Sequence, residues 1–394
     1  MILPFTFLIL CVSHINALKP LFDHPTCDLS STLRSLNAQK LDPANILQAA
    51  AAPGICPLSE LPRYSKPSEL IKLAYITPWN GHGYDLAKWF ASKLTHISPV
   101  WYQLVISDAK PDLRGGHDVD EEWLETLRNA HRPPKIVPRV QLQFSQKVAE
   151  AILYYPQRGQ VQQIADAIVD EVLKYGYDGV TVELPAPHVF ADLIRIIGEA
   201  LHDIDKELVL VVPPQHTAEQ AGMVFASEHI AELEDTVDYF SVMTYDHAGA
   251  MGTEGPNSPL KWVEQVVGDL IQGDDNGDDL EDDEELTEVM SEHKMRASKV
   301  LLGIPFYGYR FSRNQAPEAY TASNYVDLLK EATSPIDISW DESSKEHRLA
   351  LTGSSLWYPT LLSLLYRLQL AEELGVGIAI WELGQGMDHF IDAL

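Results

Sequence analysis

The 394-residue sequence predicts an α/β chain built on a (β/α)8 TIM barrel, with a small inserted subdomain after the seventh strand and an N-terminal extension. Three observations predict it. Eight short apolar runs succeed one another from residue 71 to residue 382. Several are near-continuous Val, Ile and Leu, the composition of strands buried on both faces of a parallel sheet. Amphipathic stretches separate them, such as Ile164, Ile168 and Val172 with Asp166, Asp170 and Lys174 on other faces, a pattern that Leu193, Ile197 and Leu201 repeat. A doubly wound open sheet is the alternative, but no glycine-rich phosphate turn follows the first run.

The runs are 71–77, 94–104, 135–142, 178–184, 207–212, 237–244, 299–306 and 376–382. Between 307 and 376 there is room for more than one helix, and strand-like pieces at 338–340, 347–351 and 355–358 predict the insert. Upstream, residues 1–17 carry an apolar core from Ile2 to Val12, too short to span a bilayer, and read as a secretory signal. Residues 18–70 are expected to lie on the main domain (71–394) as an extension. With the leader removed, Cys27 and Cys56 remain; in an oxidising compartment they are read as a disulfide, two buried thiols being the alternative. A secreted or lysosomal lumen follows as the expected address. No later apolar run reaches membrane length.

Lys and Arg total 29 against 57 Asp and Glu, a formal charge of −28. A phosphate-binding face needs a local excess of cations, so nucleic acid and anionic membrane surfaces are set aside as partners. Nine of the thirteen residues in 273–285 are acidic, which predicts a disordered surface loop. Asp274, Asn276 and Asp278 have the spacing of a calcium loop, but its sixth position would be Asp279 where that loop demands Gly. Neither a metal nor a cofactor is expected.

In a barrel, functional side chains come from the C-terminal strand ends. Here those ends carry Trp79 and Asn80, Trp101 and Gln103, Arg139, Glu183, Met243 to Asp246, Phe306 and Tyr307, and Trp381 and Glu382. Trp79, Trp101, Tyr245, Tyr307 and Trp381 together would ring one mouth. Flat apolar faces beside hydrogen-bonding groups suit sugar rings.

Four ordered segments carry a resemblance: Tyr177-Asp178-Gly179, MTYD at 243–246, KVLLGIPFYG at 299–308 and GIAIW at 377–381. They resemble glycoside hydrolase family 18, the chitinase family, over about residues 70–394. Segments 76–85, 94–104, 255–263 and 373–390 resemble one branch of it more closely, in loops as well as strands. The resemblance implies a barrel that binds β-1,4-linked N-acetylglucosamine oligosaccharides in a cleft at the strand ends. In active members the substrate's own acetamido oxygen attacks the anomeric carbon, while a Glu ending the fourth strand protonates the leaving oxygen. That Glu closes a D-G-x-D-x-D-x-E run. The resemblance also assigns Tyr245 and Asp246 to the acetamido group and Trp381 to the floor beneath the central sugar. The expected lining is Trp79, Trp101, Arg139, Glu183, Met243, Tyr245, Asp246, Tyr307 and Trp381.

The fourth strand departs from the run. Its first Asp is Asp178, the second is replaced by Thr181, the third by Glu183, and the acid by Pro185. Losing a positioned acid costs about 10²–10⁴ in rate, roughly 3–5 kcal/mol of barrier. Alternation puts 181, 183 and 185 on one face, but residues two apart are separated by about 6.6 Å, and Glu adds only one methylene to Asp. Glu183, the one catalytic candidate on this strand, therefore sits a layer too deep and is expected to pair with Arg139 or Tyr245; Asp178 is expected to be structural. The reading is a chitinase-like binder without hydrolysis. The alternatives are an active hydrolase drawing its acid from Glu183 or Glu382, and a protein whose partner is a protein receptor steered by the acidic run.

Overall fold

Eight parallel strands close into a ring because each finds both neighbours, leaving no edge exposed. In the computed structural model, residues 40–51, 70–107, 110–154, 158–214, 225–272, 283–333 and 336–394 are described. The signal reading of 1–17, Cys27 and Cys56, and residues 273–282 of the acidic run lie outside them. The strands are β1 (Lys72–Ile76), β2 (His96–Pro99, resuming as Tyr102–Ser107), β3 (Lys135–Ile136, resuming as Arg139–Phe144), β4 (Gly179–Glu183), β5 (Glu207–Val212), β6 (Tyr239–Val242), β7 (Val300–Pro305) and β8 (Gly377–Trp381). Every consecutive pair is parallel, and β8 returns to β1 with Lys72 opposite Ile378.

Period-two alternation divides the side chains between two cores. Leu73, Tyr75, Val100, Val137, Val209, Leu301 and Ala379 fill the lumen. Ala74, Ile76, Val180, Val182, Leu208, Leu210, Ile378 and Ile380 face the surrounding helices. The helix Arg158–Tyr175 buries Ile164, Ile168 and Val172, and Ala191–His202 buries Leu193, Ile197 and Leu201. Among the described residues, no helix is long and apolar enough to cross a membrane.

After β7 the chain builds the insert, a five-stranded antiparallel sheet with Glu318–Tyr320, Gly308–Ser312, Ser354–Tyr358, Glu346–Leu351 and Asp337–Asp341 in spatial order, beside the helix Ala322–Glu331. The last three in that order were legible as strand-like pieces; the first two were not, being a short run and a continuation of β7 through Phe306 and Tyr307. The helix Pro43–Ala51 of the extension packs on Ala322–Glu331 and on the C-terminal turn Asp388–Ala393. The expectation of disorder through residue 285 is corrected at its end. The helix Asp283–Lys299 opens with Asp283, Glu284 and Glu285. Arg296 and Lys299 stand in its last turn, where cations complement the negative end of the helix dipole.

A buried ion pair joins the insert to the barrel. Glu346 accepts from the Ser258 N–H at 2.7 Å, the Asn257 N–H at 3.0 Å and Arg367 Nη2 at 2.8 Å. Arg367 also donates to the Ser363 carbonyl at 2.7 Å. Both side chains are almost wholly excluded from water. Removing one partner strands the other charge in a low-dielectric interior, so Arg367→Met is expected to lower the unfolding free energy by about 3–5 kcal/mol, read as a shift in the urea midpoint. A midpoint like that of the parent would show that the pair contributes nothing net.

Candidate functional site

The lumen-facing positions at the C-terminal ends of the strands carry the polar chemistry. Arg139 and Gln141 on β3 both reach Glu183 on β4. Arg139 Nη1 donates to Glu183 Oε2 at 2.7 Å, and Gln141 Nε2 donates to Oε1 at 2.9 Å. Arg139 thus takes Glu183, and Tyr245 does not. Both carboxylate oxygens are engaged. One layer below, where the motif reserves an aspartate, Thr181 is a buried hydroxyl that donates to the Val137 carbonyl and accepts from Ser98, each at 3.1 Å. One layer above, at the position of the acid, Pro185 is exposed. It stands on the rim of an open cleft of about 470 Å³, lined by Gln141, Gln143, Glu183, Pro185, Pro213 and Met243. That volume lies in the range of small-molecule sites.

Beside the cleft, the Trp381 ring lies 5.2 Å from the Tyr75 ring, and Tyr75 Oη donates to Ser241 Oγ at 2.9 Å. The Trp381–Glu382 peptide is cis. On the β6 side, Asp246 adopts left-handed backbone (φ 64°), tolerated by a short polar side chain. Its N–H donates to Asn257 Oδ1 at 2.8 Å. Its carboxylate accepts from Tyr309 Oη at 2.9 Å and from Tyr307 Oη. Tyr245 and Tyr307 meet edge to face with centroids 6.3 Å apart. Burial raises both phenols well above their ordinary value, so they remain protonated donors at neutral pH.

Trp101, expected at the mouth, is instead buried on the outer face of the barrel, with Nε1 donating to Tyr84 Oη at 2.6 Å and its ring edge-on to Trp123. The reason is a slip in β2. Val100 faces the lumen, while Trp101 and Tyr102 both face outward, so one residue is inserted between the two halves of the strand. Trp79 is 68 % exposed in the turn after β1. Tyr75, Gln141 and Ser241 went unremarked in the sequence; each shares parity with a lumen residue of its own strand, which is the signal that reveals them.

Glu382 does not supply the alternative acid that the sequence offers. It is fully buried and faces away from the cleft, its oxygens accepting from Asn80 Nδ2 and, at 3.1 Å, from the Gly384 N–H. It fixes the turn that follows β1. Asp178 accepts from the Ile136 N–H at 2.8 Å and so ties β3 to the start of β4. Among the described residues, no group of three or more His, Cys, Asp or Glu is placed to hold a metal.

Comparison with known proteins comes to the same fold. The profile described as Glycosyl hydrolases family 18 matches residues 141–386. The chain is 18% identical over 250 residues to a Bacillus subtilis (strain 168) protein named uncharacterized glycosylase YvbX, covering 59% of this chain and 65% of that one, just under two thirds of that relative's length. A chitinase structure from Chromobacterium violaceum superposes with a TM-score of 0.65 at 19% identity, covering 82% of this chain and 97% of that one. A family 18 chitinase from Cycas revoluta in complex with (GlcNAc)3 gives 0.63 at 15%, with the same coverages.

Burial pushes the Glu382 carboxyl up to about 7, against an ordinary 4.5. The proton therefore binds more tightly in the folded state. The stabilisation is complete below pH 4.5 and is lost as pH rises through about 7. Asp392, raised by burial to about 6, acts in the same sense, and His389, lowered by burial to about 4, in the opposite one. The difference between two proteins isolates residue 382: Glu382→Gln is expected to flatten the decline in melting temperature across this window in scanning calorimetry. Parallel curves for the two proteins would refute the assignment.

Proposed function

The chain belongs to the glycosyl hydrolases family 18, and from that premise we propose that it binds chitin-type N-acetylglucosamine oligosaccharides in its strand-end cleft without hydrolysing them. The observation that carries the reading is Pro185 at the rim of the cleft. A proline side chain has no proton to give, and the carboxylate one layer below is committed to Arg139 and Gln141. The deeper aspartate that would tune an acid is Thr181. Forfeiting a positioned acid removes about 10²–10⁴ of rate, and losing its supporting carboxylate leaves no substitute.

The binding half of the machinery is better kept. A pyranose offers apolar C–H faces and hydroxyl edges. Trp381 supplies a flat ring, Tyr245 a buried phenol, Asp246 a carboxylate held by two phenols, and Gln141 an amide at the cleft. The complex of the Cycas chitinase with (GlcNAc)3 supports this ligand class. Segments 76–85, 94–104, 255–263 and 373–390 favour the stabilin-interacting chitinase-like branch of the family, and the apolar leader-like residues 1–17 favour a secreted or lysosomal address.

Calorimetric titration with chitotetraose is expected to give saturable binding that weakens about tenfold or more in Trp381→Ala. A fluorogenic chitobioside is expected to show no turnover above buffer. Turnover that disappears in Glu183→Gln would reverse the reading and make the protein a hydrolase.

A further inference from the structure

We propose that Arg139, tethered by Glu183, sits on the face of Trp381 where a sugar would stack, and so sets the affinity of the cleft by competing with the ligand. The proposal rests on the sugar-binding reading above. Its first support is placement: the guanidinium carbon of Arg139 lies over the Trp381 ring, 5.9 Å from the centroid, within cation–π range. A pyranose in stacking contact with the indole needs the space beneath that guanidinium. The rest of the ring packs toward Tyr75 and the apolar lumen.

The second support is the tether. Arg139 Nη1 bonds Glu183 Oε2 at 2.7 Å, and Gln141 holds the other oxygen at 2.9 Å, so the carboxylate is fixed from two sides. Thr181 is the direct sheet partner of Arg139 and is neutral, so no carboxylate one layer down draws the guanidinium away from the ring.

The contact is built to yield. Arg139 Nε is buried with no hydrogen-bond partner, an unmet donor that a ligand hydroxyl or carbonyl would satisfy once the side chain shifts. The pair is partly open to solvent, at 12 % and 25 % side-chain exposure, so salt weakens it modestly. A neutral chitin oligosaccharide feels no such screening. Its affinity for the parent protein is therefore expected to rise slightly with ionic strength.

The test is calorimetric titration of chitotetraose at about 0.05 and 0.5 M NaCl, where the screening length falls from more than 10 Å to a few ångströms. The proteins are the parent, the near-isosteric neutral double variant Arg139→Met/Glu183→Gln, and Arg139→Lys, which keeps the charge but loses the planar stack. The expected result is roughly tenfold tighter binding by the double variant. Arg139→Lys should be intermediate, and the gain with salt should be absent from the neutral double variant. Arg139→Lys carries the test if the double variant does not fold. Parent binding that equals or exceeds that of the variants at both salt levels overturns the role of Arg139 while leaving sugar binding intact. No heat from any folded protein at millimolar sugar sinks the sugar-binding reading, and this proposal with it.

Discussion

Alternation on a closed ring of parallel strands is the constraint that everything else obeys. Once β8 pairs with β1, every second residue must face the lumen, and the side chains there stack in layers whose heights are set by the strand rise. On β4 the layers are Thr181 and Glu183 from the inside outward, and Pro185 follows two residues past the end of the strand. A carboxylate cannot move between layers by changing rotamer, because one layer is worth about 6.6 Å and a methylene far less. The chemistry available at the mouth is thus decided by which residue type occupies which layer, and the position of the acid holds a pyrrolidine ring with no ionisable group.

The charges that remain have been turned inward on one another. Glu183 neutralises Arg139, and the Asp246 carboxylate is shared between Tyr307 and Tyr309. A site in this condition has little to offer a developing charge, since each group already has a partner and would have to give it up. It retains planar surfaces and hydrogen-bonding edges, groups of the kind that suit the apolar faces and hydroxyl edges of a sugar ring.

The insert belongs to this arrangement. Tyr309 is on its first strand, Gly308–Ser312, and closes on Asp246. Asn257 forms the link behind it: its N–H donates to Glu346, its Oδ1 accepts from the Asp246 N–H, and its Nδ2 donates to the Tyr307 carbonyl at 2.9 Å. The buried Glu346–Arg367 pair and the strained backbone at Asp246 are therefore joined through one asparagine. Gly308 permits the close approach, since a Cβ there would fall 2.1 Å from the Trp357 carbonyl oxygen. Stability of the insert and geometry of the mouth rest on the same contacts.

Local pattern determined a good deal by itself. The eight apolar runs coincide with the eight strands to within a few residues, because strand composition and period two are properties of the segment and need no partner. The layer of Pro185 and the absence of an acid there follow from counting along one strand. Other outcomes depended on closure. Trp101 turned outward because β2 is interrupted, and a one-residue slip is invisible until β3 shows where each half pairs. Glu382 went to the turn after β1, and Arg139 went to Glu183 and Trp381, across separations of 44 residues and more. Such contacts are fixed by register and by the curvature of the ring. Periodicity says which face a side chain takes, and only the closed tertiary structure says what waits for it there.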